Sequence, residues 1–197
     1  MIVLCDVAGV MVDFDDEISF RILQEAGVHR AGAMQMYKQE FEDFSRGRLS
    51  DNEYVRLLND RHFNKVVDIA TIQRAHDEHF TRRNDNVVGI IQSIPRERVA
   101  IITDTNAWQH RRIAGFIDLV ALSNNVFESH EMGMIKTDPG SFPHVIRSLG
   151  VPAADIVLID DLRKNVDRAR GFGMKAVLYQ STEQLRGELA RIGMSLP

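Results

Sequence analysis

Residues 1–17 read MIVLCDVAGVMVDFDDE. The apolar run Ile2-Val3-Leu4-Cys5 ends on a carboxylate, Asp6, and a loop-like Val7-Ala8-Gly9 follows. A short β-rich run without polar alternation is the pattern of a strand covered on both faces, as in a parallel sheet. A carboxylate at the end of such a strand is costly to bury unless a metal or a counter-charge balances it. Three more runs share the pattern: Val99-Ala100-Ile101-Ile102, Ile156-Val157-Leu158-Ile159 and Ala176-Val177-Leu178-Tyr179. Helical spacing of apolar residues marks Ser141 to Leu149, stopped by Gly150, and Leu162 to Phe172, stopped by Gly173. This alternation predicts an α/β fold with a Rossmann-like parallel sheet, which binds ligands at the carboxyl ends of its strands.

Between the first run and Val99 no further strand is expected. Helical patterns fill the interval instead, at Glu17 to Ala26, Ala33 to Arg46, Asp51 to Asp60 and Ile69 to Arg82. Gly47-Arg48-Leu49-Ser50 separates the second from the third, with Ser50 or Asp51 as the expected cap. A helical block between the first and second strands of a parallel sheet is most simply an inserted cap domain over the strand ends. The expected boundaries are residues 1–14 and 86–197 for the α/β core and 15–85 for the helical cap.

Composition narrows the functional classes. The 197 residues are 44% hydrophobic and 26% charged, an ordinary globular balance. With 24 basic and 28 acidic side chains the net charge is 24 − 28 = −4, so no positive field argues for nucleic acid. No apolar run approaches the ~20 residues that span a bilayer, and no signal-peptide pattern precedes Asp6. Cys5, the single cysteine, allows no internal disulfide and is expected to pack inside its strand. A cytoplasmic protein that binds neither membrane nor nucleic acid is expected.

The strand ends carry the chemistry. The first run ends at Asp6, the second in Thr103-Asp104-Thr105-Asn106, and the third in Asp160-Asp161, while Lys136 stands in GMIKTDPGSF just ahead of the preceding helix. An aspartate after a strand is often only a cap or turn former, and a lone lysine is usually solvated. In a parallel sheet, however, these four positions converge on one edge.

These pieces resemble a haloacid dehalogenase-type (HAD) hydrolase with a helical cap after the first strand, of the branch whose opening reads FDxxGVxxD. The matching segments are Asp6-Val7-Ala8-Gly9-Val10-Met11-Val12-Asp13, Ile101 to Asn106, Ser129 to Pro139, and Val157 to Asp161 with Asn165, Ala169, Gly171 and Gly173-Met174. They stand in the family's order and span residues 2 to about 180; the FSRGRLSDNEY stretch of the cap matches in placement.

The resemblance implies a phosphatase that uses Mg²⁺. Asp6 would be the nucleophile, forming an aspartyl-phosphate that water hydrolyses. The Thr103 hydroxyl and Lys136 would bind the transferring phosphoryl group, with Asp104 beside them. Asp6, the Ala8 carbonyl, Asp160 and Asp161 would hold the metal, supported by Asn165 and Lys164. Charge agrees: three carboxylates against Lys136 leave two negative charges in excess, which would repel a phosphate dianion and which a dication cancels.

Two departures stand out. Most phosphatases of the family carry a second aspartate, a general acid and base, where this chain has Ala8. Asp104 stands where the branch often has asparagine. A carboxylate there is expected to cap the helix from about 106, or to pair with Arg111 or Arg112.

Other features read as structural. His76 and His79, three apart on a predicted helix, are expected on a solvated face, since no third metal ligand is in view. Asp13, Asp15 and Asp16 fit the start of a helix, and Arg46, Arg48, Arg82 and Arg83 fit surface charges. Met34, Met36 and Phe41 fit packing positions.

Three functions follow in order. The first is a Mg²⁺-dependent phosphatase of small phosphorylated metabolites, sugar phosphates among them. The second is a catalytically impaired HAD-fold binding protein, and the third a dehalogenase-like hydrolase that uses Asp6 on carbon without metal.

Overall fold

The computed structural model describes residues 1–194. The α/β expectation holds. Five parallel strands form one sheet: β1 (Ile2–Cys5), β4 (Val99–Thr103), β5 (Asn125–Glu128), β6 (Ile156–Asp160) and β7 (Lys175–Leu178), in the order β5-β4-β1-β6-β7. Between β1 and β4 lie β2 (Val12–Phe14), the helices α1 (Asp16–Glu25), α2 (Arg30–Ala33), α3 (Gln39–Ser45), α4 (Asp51–Arg61) and α5 (Ile69–Glu78), then β3 (Phe80–Arg83) and α6 (Asp85–Gln92). The later helices are α7 (Ala107–Ala114), α8 (Leu119–Leu122), α9 (Ser129–Met132), α10 (Ser141–Leu149), α11 (Arg163–Gly171) and α12 (Thr182–Arg191).

Strand periodicity divides the core. Val3 and Cys5 of β1 face one layer with Ile101 and Ile159, packed by Val87, Ile90 and Ile91 of α6 and Leu185 and Leu189 of α12. Leu4 points the other way with Ala100, Ile102 and Leu158, against Phe142 and Val145 of α10 and Ala169 of α11. Both faces are covered, so the strand runs carry no polar alternation. The helices of the interval pack on each other through Leu23, Met36, Phe44, Tyr54, Leu58, Ile72 and Ala75, with Trp108 of α7 inserted from the sheet side. The Trp108 indole donates to Asp51 at 2.9 Å.

Three local expectations are corrected. No strand was expected between Cys5 and Val99, yet β2 and β3 form an antiparallel ribbon where the helical block leaves and rejoins the sheet, with Val12 opposite Arg83 and Asp13 opposite Arg82. Its strands are too short to show alternation, and they pair across some 70 residues of chain. The helix expected to Arg82 therefore stops at Glu78. The helix expected over 33–46 breaks at Lys38, which has φ −108° and ψ −142°. A 3₁₀ turn over Met34–Tyr37 precedes the break, leaving Met36 buried and Met34 46% exposed.

His76 and His79 are also corrected: they are 0% and 5% exposed. The His76 ring stacks on Phe41 and lies edge-on to Tyr37. The Tyr54 hydroxyl donates to the Met36 carbonyl, so His76 Nε2, 2.9 Å from that oxygen, must carry the proton and donate to it. Nδ1 is buried without a partner. Burial pushes the imidazole pKa from its ordinary 6.5 down to about 3, with His79 adding to the shift. The unfolded chain therefore takes up a proton below pH 6.5 that the folded chain refuses, and stability is lost as pH falls from 6.5 towards 3. At pH 5 the loss amounts to about 2 kcal/mol. Urea unfolding at pH 7 and pH 5 checks this. The fall in midpoint should shrink in His76→Leu, which leaves Tyr54 bonded to Met36; an unchanged fall would show that the acid sensitivity lies elsewhere.

Candidate active site

Asp6 extends β1 by one residue, its N–H donating to the Ile159 carbonyl at 2.9 Å. Because β1 lies between β4 and β6, the carboxyl ends that carry Asp6, Thr103 and Asp160 stand side by side. Asp6 is 4% exposed and Asp160 fully buried. Lys136, 2% exposed, reaches in between them: its Nζ donates to Asp160 Oδ2 at 2.9 Å and contacts Asp6 Oδ2 closely. The other Asp6 oxygen accepts from Val7 N at 2.7 Å. Burial pushes the Asp6 carboxyl well above the ordinary carboxylate range against the pull of Lys136, and Asp160 and Asp161 push the same way as burial. Burial by itself would lower the Lys136 ammonium, but Asp160, Asp6 and Asp104 outweigh it and hold it above its ordinary value.

The loop after Asp6 turns back on itself through the Val7 carbonyl, which accepts from the N–H groups of Val10, Met11 and Val12. Gly9, at φ +76°, lets it pass close to Asp161: a Cβ there would stand 2.3 Å from Asp161 Oδ2. Ala8 faces the site with a methyl group and can neither give nor take a proton.

At this centre two buried polar atoms, Thr103 Oγ1 and Asn165 Oδ1, lack partners among the described residues. Asn165 Nδ2 holds both Asp160 oxygens, at 3.0 and 3.1 Å, and Asp160 Oδ1 also accepts from Leu162 N. Lys164, expected to help here, is exposed. An unsatisfied buried hydroxyl is unfavourable without a ligand. Thr103 Oγ1 is therefore available as a donor to an oxygen bound at the strand ends.

Asp104 does not cap the next helix, nor does it pair with Arg111 or Arg112. Asn106 caps α7, accepting from Trp108 N and Gln109 N at 3.1 Å each. Asp104 Oδ1 instead accepts from Lys136 N at 2.8 Å, pinning the backbone that carries the lysine. Arg46 and Asp138 pin it a second time. Arg46, expected on the surface, has an 11% exposed side chain and grips both Asp138 oxygens, through Nε at 2.8 Å and Nη2 at 2.9 Å. Asp138 in turn accepts from Ile135 N. A half-buried bidentate pair of this kind contributes about 2 kcal/mol. Arg46→Ala should lower unfolding stability by about that much and loosen the lysine loop; Arg46→Lys should not restore it, for want of the planar fork. Urea midpoints for both variants test the point, and an unchanged midpoint would show the pair to be incidental. Of the hinge acids, Asp15 caps α1 through Glu17 N, whereas Asp13 pairs with Arg82 across the ribbon.

Carboxylate oxygens of Asp6, Asp160 and Asp161 lie within 4.8 Å of one another. They are hard oxygen donors at the ends of two adjacent strands, β1 and β6, and among the described residues no hydrogen bond is made to the Ala8 carbonyl. Such a set fits Mg²⁺, which takes few protein oxygens and keeps its waters. The excess negative charge found in the sequence is thus gathered in one place.

A cavity of about 210 Å³ adjoins this centre, lined by Ala8, Asp104, Phe14, Tyr37, Phe41, Phe80, Ile113, Asp16, His79 and Gln109. The sequence reading missed it. A signal was present, since Ile72, Ala75, His76 and His79 stand at helical i, i+3, i+4, i+7 spacing, the mark of one buried face. A larger cleft of about 530 Å³ between Ile91–Arg96 and Ile117–Leu122 contains none of the strand-end residues.

Solved structures with the same arrangement of elements include BT-2542, a HAD family enzyme from Bacteroides thetaiotaomicron determined with magnesium and inorganic phosphate. It matches with a TM-score of 0.79 and 18% identity over 90% of this chain and 93% of its own. A HAD-like family hydrolase from Porphyromonas gingivalis matches at TM-score 0.79 and 21% identity, covering 96% of each chain. The fold is that of the HAD superfamily. L-2-haloacid dehalogenase from Xanthobacter autotrophicus shares the HAD fold at TM-score 0.64 and 16% identity, over 99% of this chain and 85% of its own. No family model matches the sequence. Among curated proteins, drimenol cyclase drtB of Aspergillus calidoustus is 24% identical over 195 residues, 96% of this chain. Enolase-phosphatase E1 of Kluyveromyces lactis is 35% identical over 74 residues, 36% of this chain. The chain spans about a third of the length of these two relatives, 36% and 32%.

Proposed function

We propose that this HAD-fold chain is a Mg²⁺-dependent phosphatase of small phosphorylated metabolites, acting through a phosphoryl group carried on Asp6. The observation that carries the reading is Lys136 held between Asp6 and Asp160, with the unpartnered Thr103 hydroxyl on the neighbouring strand end. Asp6 attacks phosphorus in line, and the leaving oxygen departs with the P–O electron pair. Lys136 and Thr103 hold the equatorial oxygens of the transferring group, where charge gathers in the transition state. Water then attacks the phosphorus of the acyl phosphate and the P–O bond to Asp6 breaks, returning Asp6 as a carboxylate and releasing inorganic phosphate, with the proton of the water passing to the phosphate or to solvent. Mg²⁺, when bound at Asp6, Asp160, Asp161 and the Ala8 carbonyl, supplies charge neutralisation for the phosphate. The core would comprise residues 1–14 and 86–197, and the segment 15–85 would be the cap.

The dehalogenase reading fits the absence of an acid at Ala8, but the gathered carboxylates Asp6, Asp160 and Asp161 favour a metal. Buried Cys5 suits a reducing, cytoplasmic setting. No helix among the described residues is long and apolar enough to cross a membrane.

Calorimetric titration with Mg²⁺ and phosphate release, measured on the parent and on Asp160→Asn, test the reading together. The variant should lose at least about 10²-fold in Mg²⁺ affinity and lose activity in parallel. Phosphate release that needs no divalent ion would remove the metal from the account.

A further inference from the structure

The polar groups on the Tyr37 side of the cavity beside Ala8 are largely bonded to one another. Ser19 Oγ donates to the Ala75 carbonyl at 2.7 Å, so at 2.8 Å it accepts from the Tyr37 hydroxyl. The Tyr37 oxygen then accepts from His79 Nδ1 at 3.0 Å, a donor that Asp16 shares at 3.3 Å. His79 Nε2 is left to accept from Gln109 Nε2 at 3.3 Å, and Gln109 Oε1 accepts from Asn106. Among the side chains that line the wall, the second N–H of Gln109 is the one donor left over, and no lysine or arginine lines it. What remains is Phe14, Tyr37, Phe41, Phe80, Ile113 and the Ala8 methyl.

From this we infer that the cavity takes the leaving group of the substrate, and that this group is an apolar aromatic ring: the substrate class is aryl phosphate monoesters, not polyol phosphates or doubly anionic phospho-acids. The inference rests on the phosphatase reading above and deepens it. Ala8 and Asp104 join the cavity to the strand-end centre, so a group bound there is attached to the phosphorus that Asp6 attacks. Its volume of about 210 Å³ exceeds the ~150 Å³ that suffices for benzene in an apolar cavity. A sugar would bring several hydroxyls to a wall that is mainly aromatic, with only the carboxylates of Asp16 and Asp104 and one Gln109 N–H to meet them, whereas a ring meets aromatic faces and edges. A second phosphate or carboxylate would meet Asp16 and Asp104 with no cation.

The same class explains Ala8. A phenol has a pKa near ~10, as tyrosine does, against roughly 16 for water and simple alcohols, so a phenolate leaves as the anion and needs no acid beside it. A carboxylate at position 8 would also desolvate against the ring.

The test compares kcat/KM of the Mg²⁺-loaded protein on phenyl phosphate, a hexose 6-phosphate and acetyl phosphate, whose leaving group is good but too small to fill the cavity. Phenyl phosphate should exceed the hexose phosphate by about 10²-fold or more. Phe41→Ser, at a half-buried position, and Phe14→Ser, at an exposed one, should each lower the ratio of phenyl to acetyl phosphate about tenfold. Ala8→Asp should narrow the gap between phenyl and hexose phosphates. Equal or better use of the hexose phosphate, silenced by Asp6→Asn, overturns the aryl assignment and leaves the phosphatase reading standing. An unchanged phenyl-to-acetyl ratio in both serine variants also overturns it. No turnover of any of the three overturns both.

Discussion

Asp6→Asn is expected to reduce turnover of any accepted phosphate ester by about 10⁴-fold or more, the scale seen when a nucleophile is removed from a working site. An amide has nearly the same shape but little nucleophilicity, so the loss should appear in kcat and not only in KM. Stability should change little, because two effects oppose each other. The parent carboxylate accepts from Val7 N on one oxygen and contacts Lys136 on the other. An amide has one oxygen, so one of these bonds goes, at about 1–2 kcal/mol. Against this, a buried negative charge leaves the neighbourhood of Asp160 and Asp161. Steady-state kinetics with thermal unfolding in parallel measures both effects. Near-parent turnover by a folded variant would mean that Asp6 is not the nucleophile.

Lys136→Met is expected to give the next largest effect, and one that depends on Mg²⁺. In activity the variant loses a cation against the transferring phosphoryl group, about 10²–10³-fold in kcat. In stability it leaves Asp6 and Asp160 buried without their shared counter-charge. Breaking a buried pair on one side costs about 3–5 kcal/mol, less whatever is recovered when a carboxyl takes up a proton. At this chain length each kcal/mol moves the melting temperature by about 2–4 °C, so the metal-free variant should melt roughly 6 °C or more below the parent. Mg²⁺ supplies positive charge to the same carboxylates, so it should raise the melting temperature more in the variant than in the parent. Equal Mg²⁺ shifts in both would show that Lys136 and the metal do not share these ligands.

The strand ends were legible because their signal is local. Each apolar run announces a covered strand, and a parallel sheet brings all such ends to one edge, so the positions of Asp6, Thr103 and Asp160 followed without any knowledge of pairing. What escaped depends on partners distant in sequence. β2 and β3 exist only through each other, and three or four residues carry no period. Arg46 looks like any exposed arginine until Asp138, 92 residues on, comes to meet it. Asp104 was expected at the helix start because an aspartate there usually caps, but Asn106 holds that role and frees Asp104 for the lysine loop. The histidines misled for another reason. Their spacing with Ile72 placed them on the buried face, yet the lack of a third metal ligand pointed to a solvated one. The aromatic rings against His76 come from α3, α4, α7 and the turn before α3, those against His79 from that turn, β2 and β3.

The central claim is that the phosphoryl group rests on Asp6. Acid quenching of the Mg²⁺-loaded protein during turnover of a phosphate ester, followed by mass analysis of its peptides, addresses that claim most directly. The expected result is one phosphoryl group on the peptide that contains Asp6, lost when the ester is exhausted and absent from Asp6→Asn. Continued turnover with no phosphoryl group on that peptide, or with the group on another residue, would contradict it.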